Sequence, residues 1–340
     1  MNSVAIIIPT YNEALSLPDL LNDLAQQEGV SIQVIVADGA SNDHTCASVS
    51  GRATVVQNHR PGRAEQLNLG VEYAQHDWIL FLHADSRLRD PYLIKNALEH
   101  VGALGSSTAG HFPIEFAGPD SDHPGFRFLS AKSKLNRPFT INGDQGFLVH
   151  RELYDAVGGF DSSLPFLEDQ RFAQRVRQLG EWVTLPGHLQ TSTRRFATEG
   201  FGRRYLVMAV VMGVNEAGLD DFFELVNAYT PDPREPLDLG PIIAAIRHIT
   251  FHDGPDGALQ CWSDVGHFLR LNAWQLALLL DVYLLQDSPV SLTDQFDRHV
   301  ADKLNNRWVD VLAAALAASF FLVVVPTWWS NKERAIFRRR

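Results

Sequence analysis

Val4-Ala5-Ile6-Ile7-Ile8-Pro9-Thr10-Tyr11-Asn12-Glu13 opens the chain with an apolar run that stops abruptly at a polar cluster. An unbroken run of this kind suits a strand covered on both faces in a parallel sheet, because a strand with one wet face would alternate. Leu15, Leu17, Leu20, Leu21 and Leu24 then recur at helical spacing, and Gly29 ends that element before the next apolar run, Ile32 to Ala37. The unit is βαβ. It recurs with Thr54-Val55-Val56 as a strand, Ala64 to Gln75 as a helix and Trp78-Ile79-Leu80-Phe81-Leu82 as another buried strand. This alternation predicts an α/β fold with a mostly parallel, doubly wound sheet flanked by helices and joined by right-handed crossovers. Ligands of such sheets bind beyond the carboxyl ends of the strands.

The 340 residues carry 29 Lys+Arg against 40 Asp+Glu, a formal net charge of −11. An acidic chain repels polyanions, which argues against a nucleic-acid partner. Hydrophobic residues make up 45% of the chain, enough for a large core, and the length suggests two domains. Cys46 and Cys261 lie in unlike segments and form neither a disulfide framework nor a metal knuckle, which fits a reducing compartment. Met1-Asn2-Ser3 lacks the basic region of a secretory signal, so a cytoplasmic location is expected.

Beyond Leu185-Pro186 the strand pattern fades. Tyr205 to Phe223 reads as an amphipathic helix interrupted near Gly213 and Gly218, and Tyr229-Thr230-Pro231-Asp232-Pro233-Arg234-Glu235-Pro236 reads as a stiff linker. The expected division is therefore a first domain over 1–228 and an all-helical module over 229–340, with helices at Ile242 to Ile249, Trp262 to Leu285 and Leu292 to Leu304. Val311 to Trp329 has no charged residue, ends in Trp328 and Trp329, and precedes Lys332, Arg334, Arg338, Arg339 and Arg340. Those features suit a membrane-spanning helix whose C-terminus stays in the cytoplasm, attaching the chain to the cytoplasmic face of the inner membrane. The alternative is a buried or interfacial helix.

Polar residues cluster where the strands end. After strand one come Pro9, Thr10, Tyr11, Asn12 and Glu13, for which helix capping by Asn12 is the ordinary explanation. After strand two, Asp38 can accept hydrogen bonds from a base or ribose, Gly39 permits close backbone approach, and Asn42 and Asp43 can cap the helix at Thr45. His83-Ala84-Asp85 follows the fourth strand, and residues two apart on an extended chain project together, a metal-ligand spacing suited to Mn²⁺ or Mg²⁺ held with phosphate oxygens. Asn142-Gly143-Asp144-Gln145-Gly146 separates two apolar stretches. Glu168-Asp169 opens a helix, where carboxylates are commonly dipole partners but also suit a base at a cleft edge. Arg194 and Arg195 follow Thr191-Ser192-Thr193 and could neutralise a diphosphate, although solvated arginines are the default.

Taken in order, Ile8 to Glu13, Val36 to Thr45, Gly62-Arg63-Ala64-Glu65-Gln66-Leu67-Asn68-Leu69-Gly70, His83-Ala84-Asp85 and Glu168-Asp169 resemble the family 2 inverting glycosyltransferases of the GT-A fold over 4–225. The segments at 83–85, 143–146 and 191–195 resemble a bacterial subgroup with His-Ala-Asp where the family has Asp-x-Asp. The resemblance implies a UDP- or GDP-linked sugar donor, a divalent metal at Asp85 and His83, and an inverting displacement with Asp169 as base beside Glu168. It places Pro9, Thr10, Tyr11, Glu13, Asp38, Gly39, Arg63 and Ala84 along the nucleotide, Asp144 at a sugar or acceptor hydroxyl, and Arg194 and Arg195 at the diphosphate. The acceptor is not implied. Two other readings remain: a nucleotidyltransferase, which should have a glycine-rich phosphate loop where Tyr11-Asn12-Glu13 stands, and a non-catalytic scaffold presenting its C-terminal helices to a membrane partner.

Overall fold

The computed structural model describes residues 2–49, 51–164, 166–219, 222, 239–252, 254–285 and 290–327. The chain divides into two compact units, Met1–Thr193 and Arg194–Arg340. The boundary expected at 228/229, the linker at 229–236 and the basic residues after 331 lie outside the described residues.

In the first unit the strands are β1 (Ser3–Thr10), β2 (Ser31–Asp38), β3 (Thr54–Gln57), β4 (Trp78–Phe81), β5 (Thr108–His111), β6 (Ile114–Ala117), β7 (Phe147–His150), β8 (Glu181–Thr184) and β9 (Leu189–Ser192). Between them run α1 (Leu17–Ala25), α2 (Thr45–Val49), α3 (Arg63–Glu72), α4 (Leu93–Leu104), α5 (Pro124–Ser133), α6 (Arg151–Val157) and α7 (Glu168–Leu179). Seven strands form one sheet in the order β3-β2-β1-β4-β7-β5-β8, and β6 pairs with β9 in a second. The pairs β1–β2, β1–β4, β2–β3 and β5–β8 are parallel, whereas β7 runs antiparallel to both β4 and β5.

The apolar opening run is divided between two cores. Val4, Ile6 and Ile8 of β1 pack with Leu17, Leu20, Leu21 and Leu24 of α1 on one face of the sheet, while Ala5 and Ile7 pack with Ala64, Leu67 and Val71 of α3 on the other. Each Val, Leu or Ile side chain among these contributes about 1.5–3 kcal/mol by leaving water. Gly70 sets the distance of α3 from the sheet, since a Cβ there would run into the Ile7 side chain.

Three expectations change at element ends. Leu15 is not on the first helix; it lies in the turn before Ser16 and is 89% exposed. Strands do not end near Leu185, because β9 follows and pairs in parallel with β6. The helix expected from Ala64 to Gln75 begins at Arg63 and ends at Glu72, which puts Arg63 on its first turn.

The second unit is helical in its described residues: α8 (Arg194–Glu199), α9 (Phe201–Glu216), and further helices at Gly240–His252, Gly254–Leu271, Trp274–Tyr283, Leu292–His299, Ala301–Leu304 and Arg307–Ser319. Helix α9 continues through Gly213 and stops only before Gly218, which takes φ +66°. The single helix expected over Trp262 to Leu285 is divided at Asn272-Ala273, and the one over Leu292 to Leu304 at Val300. Arg307–Thr327 has mean hydropathy 2.3 and is long and apolar enough to cross a membrane by length and composition. Only 17% of its apolar window is buried, unlike a core helix. Where it does pack, the Gly254–Leu271 helix comes close: a Cβ on Gly266 would meet the Asp310 carbonyl, and Arg270 Nε pairs with Asp310 Oδ1 at 2.5 Å.

Candidate functional site

Strands β1 and β2 end in register, with Thr10 opposite Asp38. Gln66, on the sheet side of α3, locks the two ends by donating to the Thr10 carbonyl at 2.8 Å and the Ala37 carbonyl at 2.7 Å. Asp38 is fully buried. Its Oδ1 accepts from the Thr10 hydroxyl at 3.0 Å and the Ser41 hydroxyl at 2.6 Å, and its Oδ2 from the Ser41 amide at 2.9 Å. A buried carboxylate is stable there only because those donors replace its water.

The two following turns are laced together. Asn12, at φ +57°, donates its amide to Ser41 Oγ at 2.9 Å and accepts from the Asn42 amide at 3.0 Å. The Glu13 amide reaches Thr45 Oγ1 at 2.8 Å and the Ala14 amide Asp43 Oδ2 at 3.2 Å. Asn12 therefore does not cap α1, whose N-cap is Ser16, whereas Asp43 takes the Thr45 amide at 2.9 Å as a cap of α2 should. Pro9 and Glu13 are half-buried and Tyr11 is exposed at this edge. Gly39 leaves room for Gln66, whose side chain a Cβ would strike.

Next to this turn pair, Arg63 reaches from the first turn of α3 to residues remote in sequence. Its Nη1 lies 3.2 Å from Glu168 Oε1 and 4.0 Å from Asp169 Oδ2, and its Nη2 contacts His83 Nε2 just past β4. Both carboxylates sit on the buried first turn of α7, aimed by Leu167 in the left-handed conformation at φ +63°. Asp169 Oδ2 also accepts the Gly143 amide at 2.7 Å and Oδ1 the Gln170 amide at 2.7 Å. Pro9, Arg63, Leu82, His83, Gly143 and Asp169 line one small cavity.

Burial raises the Glu168 carboxyl above its ordinary range; the Arg63 guanidinium opposes that and the Asp169 charge adds to it. Asp144 is pushed up to about 6, chiefly by burial and then by the carboxylates of Asp169 and Asp85, against Arg63. Its Oδ1 is buried and has no hydrogen-bond partner among the described residues. Ala84 is buried and Asp85 half-buried.

Arginine has no acceptor, so the His83 nitrogen facing it must accept, and that lone pair is directed at Arg63. Among the described residues no three His, Cys, Asp or Glu side chains are grouped as metal ligands. The oxygen donors nearby, Asp85 and the unpartnered Asp144 Oδ1, fit a hard cation that takes its other ligands from diphosphate oxygens. Arg194 and Arg195 open α8 of the second unit.

Gln66, Ser41 and Gly143 carry bonds that the polar-cluster pattern does not reveal. Gln66 had one signal, a polar side chain on the apolar face of α3 shared by Ala64, Leu67, Gly70 and Val71.

Residues 5–158 match the sequence model of Glycosyl transferase family 2. This family 2 match contains Thr10, Asp38, Arg63, His83, Asp85 and Asp144, and ends ahead of Glu168 and Asp169. With the sheet order above, it makes the first unit a GT-A fold, followed by a C-terminal helical region. An uncharacterized glycosyltransferase of Haemophilus influenzae is 26% identical over 186 residues, 52% of this chain and 62% of the relative. A PGL/p-HBAD biosynthesis glycosyltransferase of Mycobacterium tuberculosis is 30% identical over 105 residues, 29% of this chain and 41% of the relative. The chain thus spans less than two thirds of the length of these curated relatives.

Two solved structures are similar along most of the chain. The mannosyltransferase PcManGT from Pyrobaculum calidifontis, in complex with GDP-Man and Mn²⁺, gives TM-score 0.46 at 19% identity, covering 92% of this chain and 86% of that one. S. aureus TarS 1–349 in complex with UDP gives 0.48 at 17%, covering 91% and 90%. Similarity at this level does not bear on function.

Proposed function

We propose that this chain is a glycosyltransferase that moves a sugar from a UDP- or GDP-linked donor to an acceptor hydroxyl in one inverting displacement. The observation that carries the reading is the convergence of Arg63, His83, Gly143 and Asp169 on one cavity at the carboxyl edge of β1 and β4, with Glu168 held beside it by Arg63. A family 2 match over β1 to α6 supports the same chemistry independently of that geometry.

In the proposed reaction Asp169 accepts the proton as the acceptor O–H bond breaks, and the acceptor oxygen bonds to the anomeric carbon. The bond from that carbon to the diphosphate oxygen breaks on the opposite face, leaving its electron pair on the diphosphate. One in-line step inverts the configuration. Asp169 suits the task because the Gly143 and Gln170 amides hold its two oxygens in fixed directions. Asp85, with Asp144, is the proposed holder of a Mn²⁺ or Mg²⁺ ion, which when bound supplies positive charge to the departing diphosphate. Arg63 is the first unit's own cation for that charge. Asp38 and Thr10 brace the turn that takes the base and ribose, with Pro9, Tyr11, Glu13, Gly39 and Ala84 lining the donor and Asp144 beside the sugar.

A nucleotidyltransferase is disfavoured by the first turn, because a phosphate loop needs open amides and those of Asn12, Glu13 and Ala14 are occupied by Ser41, Thr45 and Asp43. The proposed location is the cytoplasm, at the inner face of the inner membrane. Arg307–Thr327 supports it by its hydropathy and small burial, and Trp308, 82% exposed at its start, supports it as an interfacial side chain.

The test is a screen of UDP- and GDP-sugars for nucleoside diphosphate release with Mn²⁺ present. Release from one donor class is expected. Neither release nor binding of any nucleoside diphosphate would leave only the scaffold reading.

A further inference from the structure

We infer that Arg63 is a latch that holds the proposed base until the donor arrives, so that donor binding and base release are one event. The inference rests on the glycosyltransferase reading above. Its starting point is a conflict of use: one guanidinium is assigned to the donor's phosphates, yet it is already engaged with the base.

The engagement is extensive. Nη1 faces Glu168 Oε1 at 3.2 Å and Asp169 Oδ2 at 4.0 Å, and Nη2 rests against His83. The space for this arm exists because residue 143 has no side chain; a Cβ there would overlap the guanidinium. Glu168 Oε1 has no other partner among the described residues, and the Arg63 Nε is buried with none either. Asp169 accepts two backbone amides while Arg63 stands beside it. Both carboxylate oxygens are thus occupied, and the guanidinium covers the Oδ2 side that an acceptor hydroxyl would approach.

A donor changes the balance. The Arg63 side chain is 36% exposed, against 8% for Glu168 and 12% for Asp169, so the arm can leave while the acids stay. A diphosphate offers it a doubly or triply charged, bidentate partner in place of a single contact at 3.2 Å and a longer one. Moving the guanidinium to the diphosphate uncovers Asp169 Oδ2 for the acceptor hydroxyl. Arg63 thus acts both as a donor contact and as a positioning residue for the base. A compulsory order follows, donor before acceptor.

Linkage makes this measurable without knowing the acceptor. If Glu168 competes with the donor for Arg63, cancelling the Glu168 charge must strengthen nucleoside diphosphate binding, and must do so only while Arg63 is present. The experiment is calorimetric titration of UDP and GDP, with Mn²⁺, into the full chain as wild type, Glu168→Gln, Arg63→Gln and the double variant. Thermal unfolding of each reports that it is folded, and Arg63→Lys serves as a second lesion that keeps the charge. Binding of the accepted nucleotide is expected to tighten about five-fold or more in Glu168→Gln. It should weaken in Arg63→Gln, and the gain from Glu168→Gln should vanish in that background. Unchanged or weaker binding in Glu168→Gln, or a gain that persists without Arg63 and in the Arg63→Lys background, overturns the latch and leaves the glycosyltransferase reading standing. Absence of nucleotide binding in the wild type overturns both.

Discussion

The Gly143 amide donates to Asp169 Oδ2 at 2.7 Å, joining the turn ahead of β7 to the first turn of α7. The same glycine leaves the space that the Arg63 guanidinium fills. Gly143→Ala is therefore expected to displace Arg63, costing about 1–3 kcal/mol of stability through overpacking. It should also weaken nucleoside diphosphate binding. Thermal unfolding and calorimetry check the two effects, and wild-type values in both would show that Arg63 does not depend on the gap.

Asp38 is buried among three donors supplied by Thr10 and Ser41. In Asp38→Asn one carboxylate oxygen becomes an NH₂ that must face a donor. A loss of about 1–3 kcal/mol in urea unfolding is expected, with weakened nucleotide binding. Thr10→Val, which removes one hydroxyl donor and keeps the charge, should cost less. Equal stability of Asp38→Asn and wild type would contradict a structural role for the charge.

His111, in β5, supplies a pH dependence of stability. Its Nδ1 accepts from Trp182 Nε1 at 2.8 Å and its Nε2 bonds to the Ser133 carbonyl at 3.1 Å, which fixes the neutral tautomer protonated on Nε2. Burial lowers its pKa to about 4, with the Arg177 charge adding, from an ordinary value of 6.5. The folded state then binds fewer protons than the unfolded state between those values. Its stabilising contribution is complete above pH 6.5 and is lost as pH falls toward 4, a loss of about 3 kcal/mol from this group. Urea midpoints at pH 7 and 4.5 should show it, and His111→Gln should flatten the difference. An undiminished slope in that variant would assign the acid sensitivity elsewhere.

The Arg307–Thr327 helix should carry the chain to membranes. Full-length protein is expected in the membrane fraction, and a form lacking residues 306–340 in the soluble fraction. Both forms remaining soluble without detergent would place the helix against protein instead.

The order β1, α1, β2, α3, β4 is legible because each strand is an unbroken apolar run and each helix has a leucine or alanine stripe. Strands β5 to β9 have four residues apiece, too few to show a period, and the antiparallel placement of β7 is set by its neighbours β4 and β5 rather than by its own residues. The break at Asn272 has no glycine or proline to announce it; Asn272 Nδ2 bonds the Phe268 carbonyl, and the chain turns there. At the site, Thr10, Asp38, His83 and Asp169 stand out as polar groups at element ends. What they bond to does not, because Arg63, His83, Gly143 and Glu168 come from four separate segments.

Asp169→Asn tests the proposed chemistry most directly, measured as sugar transfer or donor hydrolysis alongside nucleoside diphosphate affinity. The amide can still accept the Gly143 bond but cannot take a proton. Turnover is expected to fall about 10²–10⁴-fold while affinity is kept or tightens, as the release of Arg63 requires. Wild-type turnover, or a loss of affinity as large as the loss of turnover, would contradict Asp169 as the base.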